Sequence, residues 1–67
     1  MITLEQAKSL RYGQILIHDL TGKRWRDTGQ PKVWKRTPSR VQVPVKHGLY
    51  AYDYVTENEL DIVSMEE

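Results

Sequence analysis

Cysteine is absent from these 67 residues, and so is phenylalanine. Without cysteine there are no disulfide staples and no thiolate metal centres. Without phenylalanine the core has to be built from the two tryptophans, the four tyrosines and scattered Val, Ile and Leu. A chain this short buries only about 60% of the surface its unfolded form exposes, so that core is thin. No apolar run approaches the ~20 residues of a membrane-spanning helix. The opening MITLEQAKSL lacks the basic segment and apolar stretch of a secretory signal. A soluble protein of the cytoplasm is therefore expected, folded as a single domain over residues 1–67. Within it, residues 1–12 form an N-terminal helix region, 13–65 a barrel and 66–67 a frayed tail.

Signs of catalysis are equally scarce. His18 and His47 are far apart in the chain and neither sits in a nucleophile–base arrangement. Two histidines with scattered carboxylates have no metal-ligand spacing. Glu57, Glu59 and Asp61 read as a helix start with a solvated flank. Gly13, Gly22, Gly29 and Gly48 are each isolated, so no glycine-rich loop is present to cradle a phosphate. A non-enzymatic protein without cofactor or metal is the expectation.

What is present is a concentration of positive charge. Seven of the ten Lys and Arg residues lie between Lys23 and Val45, together with both tryptophans. Residues 23–46 carry Lys23, Arg24, Arg26, Lys32, Lys35, Arg36, Arg40 and Lys46 against Asp27 alone, a balance of +7. Residues 53–67 carry six carboxylates and no base. The net charge of +1 conceals this polarity, which bears on association and steering more than on fold.

Local signals outline the elements. Thr3 and Gln6 form a capping box, with Ile2 placed to staple onto Ala7, and Leu4, Ala7 and Leu10 share a face. A helix over about residues 4–11 follows, closed by a left-handed Gly13. Gln14–His18 is an apolar strand. Lys23–Asp27 presents Trp25 on one face and arginines on the other. Lys32–Arg36 lies beyond the turn cluster Thr28–Pro31, and a hairpin across that cluster would pair Trp25 with Trp34. In Arg40–Lys46, Val41, Val43 and Val45 alternate with polar residues, while Pro44 calls for an edge or a local break. Tyr50, Tyr52 and Tyr54 share a face if their segment is extended. Thr56–Glu59 is a second capping box before a short last strand at residues 61–65. Short strands, tight turns and a 3₁₀-like turn before the last strand predict a mainly β fold: a small five-stranded SH3-like barrel with a short N-terminal α-helix. An OB-like barrel is the alternative.

Aromatics interleaved with cations suggest a nucleic-acid surface, in which bases stack while Lys and Arg follow the backbone. The candidates are Lys23, Arg24, Arg26, Lys32, Lys35, Arg36 and Arg40 for charge, with Trp25, Trp34, Tyr50 and Tyr52 as platforms and Tyr54 continuing the tyrosine set. For both tryptophans a place in the core is the favoured reading. DNA or RNA is one candidate partner. The other is a protein, docked on an exposed edge at Pro44 or on the acidic last third. The acidic tail could also cover the chain's own basic face. Self-pairing through an edge strand leaves the oligomeric state open.

TLEQAKSLRYGQIL, the segment from Trp34 to Tyr50 (WKRTPSRVQVPVKHGLY) and YVTENEL together resemble a group of small proteins of marine tailed bacteriophages, of the cyanophage type. That group has no assigned activity. The resemblance implies a phage origin, residence in the cytoplasm of an infected bacterium, and a host or phage protein as a possible partner.

Overall fold

The computed structural model describes residues 1–66. The helix α1 (Leu4–Lys8) is followed by the strands β1 (Ile15–His18), β2 (Arg24–Asp27), β3 (Lys32–Val33), β4 (Val41–His47) and β5 (Ala51–Thr56). A 3₁₀ helix (Glu57–Ile62) then leads into β6 (Val63–Met65). All six strands belong to one antiparallel sheet: β4 pairs with β5 along one edge and with both β2 and β3 along the other, and β2 continues to β1 and then β6. No ladder joins β5 to β6 among the described residues, so the sheet curls into a half-barrel and stops short of closure. The expected five strands become six because the tyrosine segment is a full strand, β5.

Both faces of α1 follow from its sequence. The Thr3 hydroxyl accepts the Gln6 N–H at 3.1 Å, and the Gln6 side chain accepts the Thr3 N–H at 2.8 Å, completing the capping box. Ile2 and Ala7 are both buried, as a staple requires. The helix ends three residues earlier than expected. Ser9 caps it by donating its N–H and its hydroxyl back to the preceding turn, which frees Leu10 to turn into the core.

The core fills the concave side of the sheet. Leu16, Val41, Val43, Val45, Val55 and Val63 come from the strands, Ile2, Ala7 and Leu10 from the N-terminal segment, and Leu60 from the 3₁₀ helix. The Thr56 cap differs from expectation. Its hydroxyl meets the Glu59 carboxylate at 3.4 Å, and no side-chain bond caps the 3₁₀ backbone.

The expected hairpin between β2 and β3 does not form. Asp27 pairs with Val45, and Lys32 pairs with Gln42, both on the same edge of β4. The two strands therefore run in one direction, interrupted by residues 28–31, and Trp25 and Trp34 do not face each other. Asp27 makes the interruption: its Oδ1 accepts the Gly29 N–H at 2.8 Å, folding the chain outward by an Asx turn. Pro44 lies opposite this gap, where Thr28 donates to the Pro44 carbonyl at 3.0 Å. The missing Pro44 donor thus falls where no ladder partner exists. Pro44 marks a local break inside a central strand, so the exposed edge proposed there for protein docking is not present.

At the outer margin of β5 the ladder geometry has a second result. Pro44 and Tyr54 are paired, and the Pro44 carbonyl points away from β5, so the Tyr54 N–H points to the open edge. Asp53 Oδ1 accepts that N–H at 2.7 Å.

Candidate functional site

Strand alternation sorts the basic residues onto surfaces. Valines of β4 point inward, so Gln42, Pro44 and Lys46 point outward. The ladders then place Ile15, Arg26, Lys46 and Tyr52 in one row across four strands on the outer face. Tyr54 lies beside Pro44 on the same face, and Lys32 beside Gln42. The Lys46 ammonium sits 5.4 Å from the Tyr52 ring centre, and Tyr52 is 70% exposed.

Trp34 stands at the other end of this face, just past β3. Its half-buried ring lies 4.2 Å from the Arg40 guanidinium and 5.2 Å from the Lys32 ammonium. Arg40 also reaches Glu57, at 3.9 Å. Lys35 and Arg36 are exposed in the loop that follows, which is anchored where the Lys8 ammonium donates to the Pro38 carbonyl. From Arg40 to Lys46 is about 20 Å along an extended chain. The outer surface is thus a strip with cations and aromatic rings at both ends and Pro44 and Tyr54 between them.

Other candidates lie elsewhere. Trp25 turns inward with Leu16, its partner across β1–β2, and packs on the core. His18 and His47 flank it, with ring centres at 5.3 and 5.9 Å. Two histidines remote in sequence thus meet around one indole, whose buried Nε1–H has no hydrogen-bond partner among the described residues. Arg24 faces outward, but its Nη2 donates to both Glu66 carboxylate oxygens, at 2.8 and 2.7 Å. Glu66 also donates its backbone N–H to Ile15 at 3.1 Å. It is therefore a bound residue and no part of a frayed tail; Glu67 lies outside the described residues. Lys23 is in the β1–β2 turn, and Tyr50 is at the β4–β5 turn, 89% exposed.

One residue of the strip, Lys46, stands outside the candidate interface, although it follows the valine alternation of β4 on its polar phase. Asp27 was missed as a buried group. It is fully buried, its Oδ2 has no partner among the described residues, and desolvation raises its pKa above the ordinary 3.8, opposed by the Gly29 hydrogen bond.

Among the described residues no group of three or more His, Asp or Glu is gathered as for a metal ion, and no helix is long and apolar enough to cross a membrane. No family model, curated protein or solved structure matches the chain.

Proposed function

We propose that this chain is a small non-enzymatic binding module that holds single-stranded nucleic acid on the outer face of its sheet. The observation that carries this reading is the strip itself. Arg26, Lys46 and Tyr52 form one cross-strand row, and Lys32, Arg40 and Trp34 cluster at the far end of the same face. Exposed rings accept bases of any sequence because every base has a stacking face, and flanking cations follow the phosphates. We read the curled sheet as an SH3-like barrel left open, and the chain as phage-type and acting inside an infected bacterium.

Fluorescence anisotropy with labelled single-stranded DNA and RNA over a salt series tests the reading. With about four phosphate contacts, from Arg26, Lys32, Arg40 and Lys46, log K falls against log salt with a slope near −3. The double variant Arg26→Glu, Lys46→Glu should reduce the slope by about two and bind far more weakly. No binding at low salt, or binding insensitive to that variant, overturns the reading.

A protein partner is the second reading, favoured by a separate observation. Leu49 and Tyr50, 76% and 89% exposed, form an apolar tip on the β4–β5 hairpin. Such a partner would bind with little salt dependence and would be lost on Tyr50→Ala, with the outer-face variant unaffected.

A further inference from the structure

The ladder between β2 and β4 opens at one end. It is paired at Asp27–Val45 and Arg26–Lys46. Continuing this register by two residues brings Arg24 opposite Gly48, yet no backbone hydrogen bond joins them among the described residues. The backbone groups of Arg24 on that side face β4, because those of Trp25 and Asp27 face β1. Gly48 has φ +76°, a left-handed turn that carries its chain away from β2. The strands splay, and a groove of about 350 Å³ lined by Lys23, Arg24, His47 and Gly48 lies between them.

The groove offers hydrogen-bond donors to an anion. Lys23 contributes an ammonium that forms no ion pair with any described residue. His47 brings an imidazole held in place by Trp25. Arg24 contributes its backbone N–H, since its guanidinium lies on the outer face and is held there by Glu66. Among the described residues no carboxylate lines the groove. An ammonium and an imidazole lining the same groove as unpaired backbone N–H groups suit a tetrahedral oxyanion, which accepts donors from several directions at once.

We infer that the splayed end of β2 and β4 is a phosphate-binding subsite, built from Lys23, Arg24, His47 and Gly48. It is separate from the outer-face strip and does not depend on that reading. Its ligand is a phosphate group, whether free or at the end of a nucleic-acid strand.

The test is an amide NMR titration with inorganic phosphate at constant ionic strength, repeated on Lys23→Ala, which alters an exposed side chain. Saturable shifts at Lys23, Arg24, His47 and Gly48, with affinity about tenfold weaker in the variant, are expected for the loss of one charge-assisted contact. Two oligonucleotides of one sequence, with and without a 5′-phosphate, then separate the sources. Tighter binding of the phosphorylated strand, lost in Lys23→Ala, supports the subsite and identifies the strand end as a ligand. Phosphate shifts at the groove with equal affinity for the two oligonucleotides support it with free phosphate as ligand. Absence of shifts, shifts spread equally over Lys35 and Arg36, or an unchanged Lys23→Ala variant overturns it. Oligonucleotides bound at Arg26 and Lys46 beside a silent groove would remove this inference and leave the outer-face reading intact. A responsive groove with no oligonucleotide bound on the outer face would do the reverse.

Discussion

The two faces of β4 are a few ångströms apart and obey different rules. Val41, Val43 and Val45 are at most 1% exposed, on the side of β4 that packs against α1. On the other side Gln42, Pro44 and Lys46 keep part of their surface in water beside Tyr52 and Tyr54. The inner face is specified by volume, because a dense interior registers a single missing methylene. The outer face is specified by charge and ring placement, which fold stability hardly registers.

Substitutions should separate the faces sharply. Leu16→Ala, at a fully buried position of β1, should cost about 2–5 kcal/mol in urea denaturation. In so small a domain that is enough to unfold a large fraction of the molecules. Lys46→Glu should change stability by no more than about 0.5 kcal/mol. Comparable losses from the two would break the division between faces.

Asp27 tests whether the inner side tolerates a charge. Its native pKa is raised, so the folded state holds the proton more tightly than the unfolded state does. The penalty of ionising it is absent below pH 3.8, the ordinary value, and complete above the native pKa. Its contribution therefore favours folding less as pH rises through that window. Asp27→Asn keeps an acceptor for Gly29 and removes the titration. The stability of the wild type relative to this variant should fall as pH rises from 3.8, measured by thermal unfolding at a series of pH values. A constant difference between the two would mean that the carboxylate is solvated.

The smallest effect is expected at the Arg24–Glu66 pair, which is partly exposed. Glu66→Gln should leave stability within about 0.5 kcal/mol, since surface ion pairs contribute little. Under the proposed function it should nevertheless raise nucleic-acid affinity a few-fold by freeing the Arg24 guanidinium on the outer face. Unchanged affinity would mean that Arg24 lies outside the bound path.

How far these features were legible depended on whether their cause was local. The Thr3–Gln6 capping box and the Val41, Val43, Val45 alternation are complete within a few residues, and both are realised. Pro44 correctly announced a break, because a missing donor constrains any strand it enters. The path after Asp27 was not legible. Thr28–Pro31 has the composition of a reversing turn, but the same residues serve an outward excursion that lets the strand resume its direction. Only the pairing of both β2 and β3 with β4 distinguishes the two, and that pairing is long-range. The partition of the basic block failed for a related reason. Arg24, Trp25 and Arg26 are adjacent in sequence, yet one is tied to Glu66, one faces the core and one faces water. Lys46, outside the original set, joins them through ladder register alone.

The Asp53 carboxylate on the Tyr54 N–H bears on how this protein behaves in a crowd of its own copies. An unclosed sheet exposes a row of donors and acceptors on which further strands can nucleate. Here the central donor of that row is occupied by the neighbouring side chain. A strand arriving from another molecule would have to displace a charged acceptor before making its first bond there. One residue thus raises the cost of strand addition at the middle of the open β5 edge.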